Sequence, residues 1–298
     1  MTDTCKRVLI TGIHGFTGQY LARELGRFSH EIFGMGTRPG SEPGYFPTDL
    51  TNQEMVTDAC RRLSPQWVVH LAAISFVGHE KPNDFYHTNI TGTRNLLAAL
   101  AENNPPPEAV LLAGSAAVYG SSDRTVLTED TEPNPGSDYA VSKLAMEYMA
   151  GLWHPCLPLV VTRPFNYTGV GQSTDFVLPK IVDHFHRRKP VMEMGNLDVS
   201  RDFCDVRAVV RAYRKLLEIM PAGETVNICS GRAVSLRELI RWMTSLTGHE
   251  LELRVNPRYV RSNEARIQRG DPGKLRAILG EWDPPSIEET LRWMLESQ

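Results

Sequence analysis

The chain has 298 residues, of which 41% are hydrophobic and 22% charged, and its formal net charge is −3. These values exclude an intrinsically disordered chain and a surface dominated by basic charge, as in a dedicated nucleic-acid binder. No apolar run reaches the length of a membrane span or a signal segment, and five cysteines are scattered without C-x-x-C spacing. A cytoplasmic protein with reduced thiols and neither membrane nor metal partners is therefore expected.

Arg7 to Thr11 is a short β-branched run and predicts a buried strand. Gly15 to Leu25 follows with helical spacing, then a strand from Glu31 to Met35. A helix at Gln53–Leu63, a strand at Trp67–Leu71, a helix at Asp84–Ala101 and a strand at Ala109–Ser115 come next. A helix at Tyr139–Leu152 and a strand at Leu159–Arg163 complete the alternation. Such alternation predicts an α/β fold with a Rossmann-like, doubly wound parallel sheet. Beyond it, helices are expected at Phe176–Arg188 and Val206–Ile219 and a strand at Thr225–Ile228. Ser235 with Glu238, and Ser286 with Glu289, have capping-box spacing. The expected division is a first domain, 1–163, that also receives part of 202–230, and a smaller α/β domain, 164–298.

Thr11-Gly12-Ile13-His14-Gly15-Phe16-Thr17-Gly18 lies between the first strand and the first helix. Three glycines at a βα turn let backbone approach a pyrophosphate and aim a helix N-terminus at it; the alternative is a purely structural turn. The second strand ends Gly34-Met35-Gly36-Thr37-Arg38, without the acidic residue that holds an NAD ribose. Arg38, with Thr37 and His14, suits a 2′-phosphate, so NADP(H) is favoured and NAD(H) is the alternative. Arg38 reads equally as a solvated arginine before a turn. Asp49 reads either as an adenine partner or as part of the cap of the next helix.

Tyr139 and Lys143 are four residues apart and share one helix face. A neighbouring ammonium is expected to lower the phenol's pKa and fit it for proton transfer to or from a carbonyl or alcohol oxygen. Ser115, at a strand end, is placed to bond the same oxygen. Taken alone, Y-x-x-x-K also describes an amphipathic helix with a snorkelling lysine.

Together, the glycine turn, the Ser115 strand and Tyr139-x-x-x-Lys143 resemble the extended short-chain dehydrogenase/reductase family of nucleotide-sugar enzymes. Val69-His70-Leu71-Ala72-Ala73, Asn89-Ile-Thr-Gly92-Thr93 and Arg163-Pro164-Phe165-Asn166 extend the likeness over essentially the whole chain. The resemblance implies Ser115, Tyr139 and Lys143 as catalytic residues, with Tyr139 and Lys143 also touching cofactor. It implies a cofactor site from Gly12, His14, Gly15, Phe16, Thr17, Gly18, Thr37, Arg38, Asp49, Leu50, Leu71, Ala72 and Ala73.

Gly195-Asn-Leu-Asp-Val-Ser-Arg201-Asp202-Phe203 and Arg261-Ser-Asn-Glu264 resemble the substrate half of GDP-sugar members. There, Arg201 and Arg261 would clamp a diphosphate and Glu264 a nucleotide ribose, with Asn166 and Lys180 lining the pocket. Arg201 reads alternatively as an ion-pair partner of Asp202 or Asp205, and Arg261 as one of Glu264. The likeness is nearest to reductases of a GDP-linked 4-keto-6-deoxyhexose and next to 4,6-dehydratases. Dehydratases carry a glutamate two residues after the catalytic Ser/Thr, where this chain has Ala117. Tyr167 stands where many relatives have histidine. A dehydratase, an epimerase and a non-catalytic dinucleotide binder remain the alternatives. The family also implies a homodimer through the helices at Asp84–Ala101 and Tyr139–Leu152, where Leu96, Leu97, Leu100, Met146 and Met149 read as interface or core.

Overall fold

Strand β1 (Arg7–Thr11) is apolar on both sides because both of its faces are covered. In the computed structural model, which describes residues 5–75, 81–259 and 265–297, Val8 and Ile10 join one core layer and Leu9 the other. Helix α1 (Phe16–Gly26) leads to β2 (Glu31–Gly36) and β3 (Tyr45–Pro47). The chain then crosses back through α2 (Gln53–Leu63) to β4 (Trp67–His70), on the opposite side of β1. Helices α3 (Pro82–Tyr86) and α4 (Thr93–Ala101), strand β5 (Ala109–Ala113), helix α5 (Asp138–Ala150) and strand β6 (Leu159–Pro164) continue the alternation.

The next strand of this sheet arrives late. Strand β7 (Asn166–Thr168), helix α6 (Val177–His186), and strands β8 (Val191–Met194) and β9 (Ser200–Asp205) intervene. Helix α7 (Val206–Ile219) then packs beside α1, and β10 (Thr225–Ile228) pairs with β6. The result is a seven-stranded parallel sheet of order β10-β6-β5-β4-β1-β2-β3, a Rossmann-like α/β fold. Its order reverses between β1 and β4, so a crevice opens at their C-terminal ends, the place where such sheets bind ligands.

The expected single helix at Asp84–Ala101 begins earlier and is interrupted by a π-helical turn, His87–Gly92, between α3 and α4. Leu96, Leu97, Leu100 and Met146 are fully buried in the layer that packs Leu9, Val68 and Val110. Of their two readings, interface or core, the core one holds for these four residues. Met149 packs partly buried against the same layer.

A second core gathers Ile181, Phe185, Leu239, Met243 and Leu291 from α6, α8 (Leu236–Thr247) and α10 (Ile287–Glu296). Both capping boxes form at the starts of α8 and α10. Beside this core, β9 pairs with β7, β11 (Ala233–Ser235) and β13 (Ile267–Gln268), while β8 pairs with β12 (Glu252–Val255). Helix α9 (Gly273–Leu279) returns to the first layer, placing Leu275 in its core. Among the described residues no helix is long and apolar enough to cross a membrane.

Candidate active site

The glycine turn is shaped as a cradle. Gly12 has φ +71°, and a Cβ there would stand 2.9 Å from the Ala72 backbone nitrogen. A Cβ on Gly18 would collide with the Gly12 carbonyl oxygen and come within 2.6 Å of that of Ile13. Only glycine at these positions lets the turn, the β4 exit and α1 approach one another. Gly15 precedes the first turn of α1 without a side-chain cap, so backbone N–H groups at this helix start face the crevice. The cradle fits a dinucleotide pyrophosphate. The Leu71 and Ala72 backbone closes on Gly12, and Leu71, Ala72 and Ala73 are partly buried.

At the tip of β2, Thr37 and Arg38 are exposed. His14 is partly buried, with its ring centroid 4.5 Å from that of Tyr45. Asp49 is exposed and bonds within its own loop, where one oxygen accepts from Thr51 N at 2.9 Å and Thr51 Oγ1 at 2.8 Å. The cap of α2 is Asn52, which accepts from Met55 N. Leu50 is buried, and its carbonyl accepts from Asn95 Nδ2 at 2.9 Å.

Ser115 lies two residues beyond β5 and caps the 3-10 turn Ala116–Tyr119, accepting from Ala117 N at 3.1 Å. Its hydroxyl is hydrogen-bonded to that of Tyr139, in the first turn of α5. Lys143, one turn later and 5% exposed, donates to the Ala113 carbonyl at 2.7 Å. Three side chains, from the turn after β5 and from α5, thus converge at the C-terminal edge of the sheet.

The electrostatics differ from the simple expectation. Burial, and not the ammonium, dominates Tyr139, so its phenol is pushed up to about 12 rather than down. Burial in turn lowers Lys143 to about 8, against a smaller opposing pull from Glu147. In this state the site holds a protonated phenol, which makes it a proton donor.

Two polar networks that spacing did not reveal fix these groups. Asn89, carried on the π-helical turn, bonds the Ile74 backbone at both N and O and donates to Ser142 Oγ at 3.0 Å. Ser142 donates to the Tyr139 carbonyl at 2.8 Å, anchoring the turn that carries the phenol. In the other network, Ala72 N donates to Thr11 Oγ1, which lies 2.7 Å from His70 Nδ1. His70 Nε2 is 2.8 Å from Thr93 Oγ1, which donates to the Asn89 carbonyl. Because the Thr93 hydroxyl donates to Asn89, His70 Nε2 must carry a proton, and a neutral ring then accepts at Nδ1 from the Thr11 hydroxyl.

Burial and the Lys143 charge depress His70 to about 3. Its folded pKa lies below the unfolded value near 6.5, so below about pH 6.5 the unfolded state takes up a proton that the folded state refuses. Stability is therefore expected to fall on acidification from about pH 6.5 to 3, by up to ~1.4 kcal/mol per unit from this group. Proton NMR of the imidazole checks it: the ring resonances should keep their neutral positions at pH 4.5, and a midpoint near 6.5 would refute the assignment.

The substrate-side residues fall into two groups. Asn166 is exposed at the start of β7 and donates to the Asp202 carbonyl at 3.4 Å. Lys180 donates to the Glu193 carbonyl at 2.7 Å and lies 4.8 Å from the Tyr259 ring centroid. Arg201 Nη1 donates to the carbonyls of Ser200 and Ala265. The carboxylates proposed as its alternative partners have other bonds. Asp202 accepts from the Ser230, Gly231 and Gly270 amides, and Asp205 holds Arg207 and Thr290. Arg261 and Glu264 lie outside the described residues. The segment after them returns to the catalytic loop, with Gln268 Nε2 3.4 Å from the Ala116 carbonyl and Leu127 N donating to Arg269 O.

Tyr167 is tied to the cofactor turn, its hydroxyl 2.8 Å from Thr17 Oγ1 and its ring stacked at 6.3 Å on Phe16. It thereby links β7 to the cradle, a contact that only the fold discloses.

A glycine cradle at a topological switch point, with Ser, Tyr and Lys beside it, defines a dinucleotide-dependent oxidoreductase. The sequence profile of the NAD dependent epimerase/dehydratase family matches residues 8–229, and the chain belongs to that family. A GDP-6-deoxy-D-talose 4-dehydrogenase of Aggregatibacter actinomycetemcomitans is 34% identical over 92% of this chain and 91% of its own length. A GDP-6-deoxy-D-mannose reductase of Pseudomonas aeruginosa is 33% identical over 97% of this chain and 96% of its own. Among solved structures, RMD from Pseudomonas aeruginosa complexed with NADPH superposes with TM-score 0.85 at 32% identity, covering 98% of this chain and 97% of that one.

Proposed function

We propose that this chain uses NADPH, with NADH as the alternative, to reduce the C4 ketone of a GDP-linked 4-keto-6-deoxyhexose to a GDP-D-rhamnose-type product. The observation that carries the reading is the catalytic trio itself: Tyr139 protonated and bonded to Ser115, with Ala117 two residues on. Reduction of a ketone needs a proton donor, and this phenol is one. Elimination of water needs a further acid–base group near the serine, and alanine has none. The two GDP-deoxysugar relatives support the substrate class, and the NADPH complex supports the cofactor.

In this mechanism the bound nicotinamide supplies the hydride. Ser115 and Tyr139 hold the ketone oxygen between their hydroxyls, and Tyr139 gives its proton as negative charge develops there. Lys143, cationic below about pH 8, stabilises the phenolate left behind. Asn166, Lys180, Arg201, Arg261 and Glu264 are the proposed nucleotide-sugar contacts, the arginines offsetting diphosphate charge. The five free thiols suit a cytoplasmic location.

The test is to mix protein, NADPH and GDP-4-dehydro-6-deoxy-D-mannose and follow the reduced-nicotinamide absorbance. One NADPH consumed per product supports the reading, and the product's C4 configuration separates the rhamnose from the talose outcome. Conversion of GDP-mannose without net redox change would overturn it in favour of a dehydratase.

The same reading includes a homodimer. With Leu96, Leu97, Leu100 and Met146 inside the core, the outward stripe of α5 and its extension is Val141, Tyr148 and Leu152, exposed by 39%, 69% and 75%. These positions recur at helical spacing. The double variant Tyr148→Glu/Leu152→Glu is expected to shift the protein from dimer to monomer in sedimentation. A wild-type monomer would refute the assembly.

A further inference from the structure

Strand β2 contains Gly34 and Gly36, and Gly40 follows in the turn; glycine inside a strand weakens it and marks a close approach. Ile13 approaches Gly34 and Glu42 approaches Gly40 most nearly, but Tyr45 of β3 is the one residue close to all three. A Cβ on Gly34 would stand 3.1 Å from Tyr45 Cδ2, one on Gly36 3.3 Å from its hydroxyl, and one on Gly40 3.1 Å from Cδ1. The ring therefore lies across the three glycines, with His14 of the cradle against it at 4.5 Å. Parallel pairing of Gly34 with Tyr45 fixes the register. The hydroxyl donates to the Arg38 carbonyl at 2.8 Å.

Arg38 is thus held from two sides. Pro39 restricts the backbone of the residue before it to extended conformations. Tyr45 pins the carbonyl that follows Arg38 Cα. The side chain of Arg38 stays exposed at the β2 tip, and the Tyr45 ring is the element that touches both the Arg38 carbonyl and His14 of the cradle.

We propose that Tyr45 is the positioning residue for selection of the phosphorylated dinucleotide: by pinning the Arg38 backbone while packing on His14, it presets the guanidinium for the adenosine 2′-phosphate. The inference rests on the NADPH reading above and adds to it a residue whose hydroxyl acts through the Arg38 backbone. Pre-organised donors bind an anion more tightly because less side-chain and backbone freedom is lost on binding. Cofactor lacking the 2′-phosphate gains nothing from that order.

Equilibrium binding of adenosine 2′,5′-bisphosphate and of AMP to the full chain tests this without turnover. In Tyr45→Phe, which keeps the ring in its slot, affinity for the bisphosphate is expected to fall about fivefold while AMP affinity is unchanged. The KM for NADPH should rise by a similar factor, with kcat and the KM for NADH unaltered. Equal loss for both ligands, or loss for neither, would overturn the role of Tyr45. Arg38→Ala separates the two levels. If it abolishes the preference for the bisphosphate while Tyr45→Phe does not, the 2′-phosphate reading stands and the Tyr45 proposal falls. If Arg38→Ala leaves the preference intact, the reading beneath the proposal fails with it.

Discussion

Replacement of Tyr139 by phenylalanine is expected to lower kcat for ketone reduction by about 10²–10⁴-fold, the usual contribution of a positioned acid. The ring is conserved in this variant, and the bonds that seat its turn, Ser142 Oγ to the Tyr139 carbonyl and Ala140 N to Ser137 Oγ, are unaffected. Cofactor affinity and the thermal midpoint should therefore change little. Single-turnover rates with NADPH measure the chemical step directly, and a rate within tenfold of wild type would show that another group delivers the proton. The pH profile adds a second check. Tyr139 stays protonated up to about 12, whereas Lys143 loses its charge above about 8. Reduction by the wild type should thus decline as pH rises through 8, because the phenolate formed in the reaction then lacks its cation.

The other large effect is expected at Arg163, on β6. Arg163 and Glu147 form an ion pair at 2.7 Å, with side chains only 9% and 7% exposed. Glu147 lies one helical turn beyond Lys143, and burial pushes its carboxyl upward against the pull of Arg163. The guanidinium also donates to Tyr119 Oη at 3.1 Å, which donates to Asn227 Oδ1 at 2.7 Å on β10. Arg163→Met leaves Glu147 buried without its partner and should destabilise the protein by about 3–5 kcal/mol. Removing both charges, as in Arg163→Met/Glu147→Leu, should recover much of that loss. Urea midpoints of the two variants decide it: equal destabilisation would mean that packing or the Tyr119 bond, and not the ion pair, sets the effect.

The parts of this protein visible in its sequence are those made by local pattern. Val8 to Ile10, the glycines at 12, 15 and 18, and Tyr139 with Lys143 each carry their meaning within a few residues. The capping boxes at Ser235 and Ser286 were legible for the same reason. What could not be read depends on residues distant in sequence. The π-helical turn at His87–Gly92 is invisible to a 3.6-residue period, yet it carries Asn89 to Ser142. Leu96 and Met146 have the same apolar character whether they face a partner or the sheet, and packing against β4 and β5 decided between them. The phenol of Tyr139 has an ammonium one turn away, but its pKa follows desolvation, which is a property of the folded surroundings. Strands of two to four residues, such as β7 and β13, are too short for alternation to register.

The late return of β10 to the edge of β6 has a consequence for biosynthesis. While the chain emerges from the ribosome, β6 offers an unpaired edge, and Val160 lacks the cover supplied by α7. That edge closes only when Ile228 has been synthesised, after α6, β8 and β9 but before α8 and α10, which complete the second core. A nascent chain stalled before that point exposes a strand ready to pair with another copy, so efficient production depends on steady elongation or chaperone protection through this interval.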